Sequence, residues 1–418
     1  MAAAVSRRVQ ALTLIFLAVS VCLPWMVGMG VLNVLIKVAI ASVFALGFNL
    51  LWGQAGLLSF GHTAYFGLGT FASIYAMQAI EAGFKLPTPL VPLVGAGVGF
   101  VAGLVAGWFA TLRSGVYFAM ITVALAELLA SIAVKWESMF GGEGGLRSVR
   151  TAFGPFKLQQ VSDVYWMTLA WLLLVIGLLM WLQRSPLGTV VRGIRERELR
   201  VSFLGYDTHA LKTLVFAVSA SLAGLAGGLL ALSDEAANMV LFQGSGSAFV
   251  VVNTVIGGAG VLLGPVVGAA LTTLFGYYVA SASHFWMLYL GLLFIGVVVF
   301  APMGLAGVAM QRVQDATAGR LPWINRAESR VLLGLLLLST GVVLLVEIVG
   351  RLCAPEYSAA RAAVAGGWPP VTVLGVRWAP WTMTTLGSLA FLFIVGWWLV
   401  QGSSAAKRAV VGLKDRFS

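Results

Sequence analysis

Charge is scarce in this chain. Asp, Glu, Lys and Arg together make up 10% of its 418 residues, against 60% hydrophobic residues and a mean hydropathy of +0.96. A soluble domain of this length needs far more charge on its surface, so the composition excludes one and leaves a polytopic membrane protein. Period-two alternation is also missing, and the apolar runs are about twenty residues long. That excludes a transmembrane barrel and predicts spanning α-helices. Cysteine is nearly absent. Cys22 and Cys353 lie far apart, with neither a disulfide framework nor a metal-ligand spacing. The three histidines (His62, His209 and His284) fall in three separate segments, which leaves little basis for a metal site. No HExxH, GxSxG or GxxxxGK[ST] sequence occurs, so catalytic readings lack support and no cofactor is expected. Any ATP used with this chain must be bound by another one.

What is present is a ladder of apolar segments separated by basic loops. Twelve are predicted to span: 11–29, 32–52, 57–80, 90–112, 115–135, 164–182, 211–232, 245–262, 265–283, 285–302, 331–350 and 379–400. The first follows Arg7 and Arg8 and has no good small-x-small cleavage site, so it reads as an uncleaved anchor. With both termini in the cytoplasm, seventeen of the 26 Lys and Arg fall inside, eight outside, and Lys37 lies within a span. Every strongly basic loop then shares one side, as the positive-inside rule requires. The net charge of +11 is thus explained by topology, and no nucleic-acid partner is expected. The expected architecture is an all-α polytopic membrane protein. It has about ten core segments in 1–307, a cytoplasmic linker at 308–330, and an appended two-helix hairpin with a basic tail at 331–418.

One polar island stands out. QRSPLGTVVRGIRERELRVSFLGYDTHA, residues 183–210, holds Arg184, Arg192, Arg195, Arg197 and Arg200, and its inner part reads as a short helix bounded by Gly188 and Gly205. Such a helix is too polar for lipid. It suits contact with a separate motor protein. Two glycine-rich segments, 53–71 and 244–265, interrupt apolar runs on either side of the middle of the core and point to a pathway between weak internal repeats. Whether 57–80 and 245–262 cross simply is left open. Polar residues at membrane depth form the candidate pathway: Asn49, Gln54, Ser59, His62, Glu127 and Asn253. Glu127 is the carboxylate well inside a core span, and Lys37 either snorkels or pairs with it. For each of these residues, interhelical packing competes with substrate contact. The outside loop 136–163, with Gly141, Gly142, Gly144 and Gly145, reads as a compact turn-rich cap.

FNLLWGQAGLLSFGHTAYFGLGTF resembles the N-L-x-x-G-x-x-G-x-x-S-x-G-H signature of permease subunits of branched-chain amino acid ABC importers, the LivM-like branch. RSGVYFAMITVALAELLASIAVKWESMFGGEGGL is similar to the family's next block, and RSPLGTVVRGIRERELRVSFLGYDTHALKTLVFAVSASLAGLAGGLLA to its cytoplasmic loop and following helix. VIGGAGVLLGPVVGAAL and FAPMGLAG resemble its closing motifs, so five blocks cover about 30–307 in order. Val123-Ala124 and Glu143 depart from the family pattern, and the hairpin lies outside it.

The resemblance implies that 188–206 is a coupling helix docking on an ATPase subunit, with Arg192, Gly193, Ile194, Arg195, Glu196, Leu199 and Gly205 as the coupling residues. Val190, Val191, Ile194, Leu199 and Val201 offer the apolar contacts. It further implies a second related permease, two ABC ATPases that bind the ATP, an extracytoplasmic binding protein, and a bacterial-type inner membrane. Importers of urea, amides or other small polar solutes use the same permease type and stand as the alternative substrate class. An ion-coupled carrier working through Glu127 is the rival mechanism, and a membrane enzyme or scaffold lacks any catalytic constellation.

Overall fold

The computed structural model describes residues 24–152, 158–317, 326–354, 357, 361, 368–373 and 376–401. The chain is an all-α polytopic membrane protein. Its helices are α1 (Met29–Asn49), α2 (His62–Glu81), α3 (Val91–Ala110), α4 (Val116–Lys135), α5 (Val161–Arg184), α6 (Pro186–Phe203) and α7 (Thr208–Asp234). They continue with α8 (Gly244–Gly257), α9 (Gly264–Ala282), α10 (Trp286–Phe300), α11 (Gly304–Thr317), α12 (Arg326–Leu352) and α13 (Met383–Gln401). Among the described residues, strands are confined to two short antiparallel pairs, β1 (Leu146–Arg147) with β2 (Ala236–Ala237) and β3 (Val371–Val373) with β4 (Val376–Trp378).

Among the described residues, 8 helices are long and apolar enough to cross a membrane, or up to 9 when α10 and α11, bent by 43°, count as one span. Three of the twelve expected segments fall outside this set for distinct reasons. The segment 11–29 lies mostly outside the described residues. Helix α2 has 20 residues, but its Gln, His, Thr and Ser content makes it too polar by itself, and α8 has 14 residues, too few to cross alone.

The described chain forms two compact units, residues 1–274 with 301–309 and residues 275–300 with 310–418. In the first, α7 is the central post, and its small residues let the neighbouring backbones close in. Gly95, Gly99, Gly103 and Gly107 line one side of α3 at four-residue spacing, against Phe216, Ala217, Ala220 and Gly224 of α7. A Cβ added to Gly224 would lie 2.2 Å from the Gly95 carbonyl oxygen, and one added to Gly69 of α2 2.3 Å from that of Gly224. Three helices therefore meet at near backbone contact. Around that crossing, Phe48, Phe118, Phe216, Ile36, Leu46 and Leu229 fill the core.

The described part of the loop after α4 is compact and turn-rich. A helical turn at Glu137–Phe140 ends on Gly141 at φ +73, and β1 then pairs with β2 beyond α7. The Glu81 carboxylate accepts from the Ser148 hydroxyl (2.5 Å) and the Val149 N–H (2.6 Å), while Glu235 accepts from the Arg150 N–H and Nε, both at 2.9 Å. In the second unit, α12 and α13 cross at Gly334 and Gly396. The buried Glu347 carboxylate of α12 accepts from the hydroxyls of Ser283 and Tyr289 and sits 3.6 Å from Arg351 Nε.

Candidate functional site

Helix α6 starts where the chain stops being able to stay in lipid. Ser185 caps it, its Oγ accepting the Gly188 N–H at 3.3 Å, and Pro186 sits at the start, where a missing N–H costs nothing. The helix breaks at Arg197, whose backbone is extended (φ −156, ψ 100), and it ends before Gly205 at φ +89, a conformation that favours glycine. It spans 186–203, two to three residues earlier at each end than the sequence suggested.

The apolar residues of α6 divide into two sets. Val191, Ile194 and Val201 are buried against their own chain, so they anchor the helix and present no surface to a partner. After the break Val201 still faces inward, but four other apolar groups turn outward: Leu199 is 73% exposed, Phe203 87%, Leu204 72%, and Tyr206 is exposed as well. Sequence reasoning picked out Leu199 and missed the other three. Their signal was the FLGY run, which puts apolar side chains at the end of a polar helix just before the Asp207 cap of α7.

Polar contacts fix this tip to the bundle. Glu198 meets Lys212 of α7 at 2.6 Å and also accepts from the hydroxyls of Thr208 (3.1 Å) and Ser114 (3.2 Å). Burial opposes ionisation of Glu198, but the Lys212 ammonium and the Thr208 and Ser114 hydroxyls outweigh it and hold its carboxyl below the ordinary value. Arg192 is exposed and donates to the Gln183 carbonyl at 3.0 Å, Gly193 lies close to Val201, and Glu196 is exposed. Arg195 takes a different direction, donating through Nη1 to the carbonyl oxygen of Gly53.

Gly53 belongs to the first interruption. Helix α1 widens into a π turn at Leu50–Gln54, the chain is non-helical from 56 to 61, and α2 begins at His62. Asn49 and Gln54 flank Gly53 and are buried. Asn49 Nδ2 donates to the Val261 carbonyl at 3.4 Å, whereas Asn49 Oδ1 and both amide atoms of Gln54 have no partner among the described residues. The second interruption, 258–263, lies directly against the first, since a Cβ on Gly53 would come within 2.4 Å of the Ala259 carbonyl oxygen. The two glycine-rich segments thus touch each other.

At the other end of the break, His62 is fully buried and fully bonded. Its Nδ1 lies 2.9 Å from Ser59 Oγ and its Nε2 2.8 Å from Ser219 Oγ, and the Ser219 hydroxyl donates to the Gly47 carbonyl at 2.6 Å. Because that hydroxyl proton is committed, Nε2 carries a hydrogen and donates to Ser219. Nearby, Thr63 and Ser247 join α2 to α8 at 2.7 Å.

Asn253 is buried between α8 and α9, accepting the Thr272 hydroxyl at 2.5 Å. Glu127 stands apart on α4, exposed eight residues before the helix end, where a Cβ added to Gly244 at the start of α8 would lie 3.6 Å from its Oε1. Lys37 does not pair with Glu127; it bonds Asp234 at the end of α7. So the structure groups Asn49, Gln54 and Arg195, separately groups Ser59 with His62, and leaves Glu127 and Asn253 outside both clusters.

A multi-pass bundle with interrupted helices and a polar helix packed on one of the interruptions fits a membrane transport permease. Residues 30–303 match the family model described as branched-chain amino acid transport system / permease component, and the chain belongs to that family. It is 27% identical over 314 residues to the high-affinity branched-chain amino acid transport system permease protein LivM of Salmonella typhimurium, covering 69% of this chain and 73% of that protein. The LivM protein of Escherichia coli K12 matches at the same identity and coverage. The probable branched-chain amino acid transport permease protein LivH of Methanocaldococcus jannaschii is 23% identical over 288 residues, covering 65% of this chain and 90% of that protein. No solved structure matches the chain.

Proposed function

We propose that this chain is a permease subunit of an ATP-driven importer for branched-chain or closely related amino acids. It works in a bacterial-type inner membrane with both termini in the cytoplasm. ATP is bound and hydrolysed by two separate ABC ATPase subunits, a second related permease completes the channel, and an extracytoplasmic binding protein delivers substrate. The observation that carries this reading is the tip of α6. Leu199, Phe203, Leu204 and Tyr206 form an outward apolar group on a helix otherwise too polar for lipid, pinned to the bundle through Glu198 and Lys212. Isolated exposed apolar residues need no explanation, but a cluster on a structured polar helix fits the surface of a partner protein. Closure of the ATPases would press on α6 and switch the bundle between outward and inward openings.

Of the candidate pathway residues, Glu127 suits the role best on geometry. A carboxylate with no ion-pair partner among the described residues, on the open face of a spanning helix, costs about 2.5–3.5 kcal/mol against lipid. That cost favours a wet passage or a second subunit beside α4. His62, Ser59 and Asn253, all buried and bonded, suit packing. Asn49 and Gln54 suit a joint that rearranges. Purifying the tagged chain from its native membrane in mild detergent, with ATP hydrolysis assayed, tests the proposal. A stoichiometric ATPase and a second permease, both lost when 186–206 is scrambled, are expected. A chain that purifies alone and transports in vesicles without ATP would overturn it.

A further inference from the structure

Arg195 sits on the helix assigned above to ATPase contact, yet its side chain runs the other way. Its Nη1 donates to Gly53, one of the carbonyls that a helix end leaves without an intrahelical donor. Its stem lies on Gly56: a Cβ added there would be 3.0 Å from Arg195 Cγ and 3.6 Å from Arg195 Cα. Gly56 has φ +76, and it turns the chain out of the π turn with its N–H on the Trp52 carbonyl (3.1 Å), while the Leu57 N–H reaches back to Leu51 (3.2 Å). Helix α6 therefore rests, backbone and side chain, on the point where α1 stops being a helix.

That point is unfinished in its polar bonding. Asn49 Oδ1 and both amide atoms of Gln54 are buried there without a partner among the described residues, a few residues from the fully bonded His62 network. Buried amides normally find partners, so this pair has bonds available to a second arrangement of the joint. The same joint reaches the second interruption through Gly53 against Ala259 and Asn49 to Val261. One arginine thus connects α6 to both breaks.

We infer that Arg195 is a positioning residue that transmits displacement of α6 to the Gly53–Gly56 joint, and that its task is to couple ATP hydrolysis to opening, not to bind the ATPase. This rests on the importer reading and adds the route by which the motor reaches the pore. Arg suits the role because its rigid fork holds a carbonyl while its stem packs.

The test uses the complete transporter in proteoliposomes, measuring substrate accumulated per ATP hydrolysed. Arg195→Gln is expected to retain its ATPase subunits and its hydrolysis rate within about twofold, while the transport-to-hydrolysis ratio falls about tenfold, as loss of one charge-assisted bond implies. Arg195→Lys, which keeps a cationic donor, should recover most of the ratio. Gly56→Ala, which strains the turn without touching a charge, should lower it in the same direction. An unchanged ratio in Arg195→Gln, or loss of the ATPase from the complex, would overturn the inference while leaving the importer reading intact. A wild-type chain that binds no ATPase would overturn both.

Discussion

Replacing Phe203 and Leu204 together by Ala should detach the ATPase while leaving the permease folded. The two side chains are 87% and 72% exposed, so their truncation removes almost nothing from this chain's own core. Docked in a cleft, each would lose most of that exposed surface. Fully burying a Phe or Leu side chain contributes about 1.5–3 kcal/mol, so the pair is worth about 3–6 kcal/mol if both seat completely. Partial burial and non-additivity bring the expectation to about 3 kcal/mol, which is a loss of about a hundredfold in affinity at about 1.4 kcal/mol per decade. The assay is a titration of purified ATPase onto the permease in nanodiscs, read by a label on the ATPase. Detergent-phase thermal unfolding of the permease serves as the control for fold. The reasoning fails if the double variant binds within about threefold of wild type, or if its weaker binding is accompanied by a matching drop in unfolding temperature. As a contrast, Val191→Ala and Ile194→Ala, at buried anchors, should lower the unfolding temperature first and weaken binding only in proportion.

Further expectations come from the contacts around this helix. Gly224→Ala would put a methyl 2.2 Å from the Gly95 carbonyl oxygen, forcing α3 and α7 apart; overpacking of this kind costs about 1–3 kcal/mol, measurable as a lower unfolding temperature and reduced yield in membranes. Glu198 has a depressed carboxyl, so its clamp on Lys212 is at full strength above the ordinary value of 4.5 and weakens as pH falls through the lower folded value. Protection of 198–206 against hydrogen exchange, taken relative to the intrinsic rate at each pH, should therefore fall below pH 4.5 in wild type, and Lys212→Ala should show the lower protection already at pH 7. Glu127→Gln should slow transport at least tenfold with the complex intact; transport at the wild-type rate would remove Glu127 from the pathway.

Much of this was written plainly in the sequence. The spans at 90–112, 115–135 and 265–283 return within two residues as α3, α4 and α9, because uninterrupted apolar length is the dominant signal when lipid is the solvent. The polar island was legible for the same reason. Side-chain direction was not, since hydrophobicity says a residue wants cover but not whose. Val191 and Ile194 looked like docking residues and are anchors, while Phe203 and Leu204 were passed over and point outward. Lys37 had no local cue to Asp234, 197 positions away. The four-residue glycine stripe of α3 was visible as a spacing, but only the Gly224 crossing shows what it is for.

The distribution of unmet hydrogen bonds gives the bundle a mechanical reading that composition cannot. Around α7, Gly69, Gly95 and Gly224 lock backbones at contact distance, and His62 ties Ser59 to Ser219 and, through it, to Gly47 with both ring nitrogens bonded. A network with all partners met has one good arrangement, and moving it breaks bonds in a low-dielectric interior. At the other end of the same break, Asn49 and Gln54 keep three amide atoms unpaired, and Gly56 supplies a turn that few other residues accept. There, displacement has bonds to gain. The break from 50 to 61 is thus asymmetric, stiff where it enters α2 and ready to rearrange where it leaves α1. Helix α6 touches it on the loose side. A force applied at Phe203 and carried through Arg195 would therefore move the end of α1 against a fixed α2–α7 frame, so α1 and the 258–263 turn should carry the motion while His62 stays still. Hydrogen exchange with and without nucleotide decides this. Protection should change at residues 50–58 and 258–263 and remain constant around His62 and Ser219, and uniform change across both regions would contradict it.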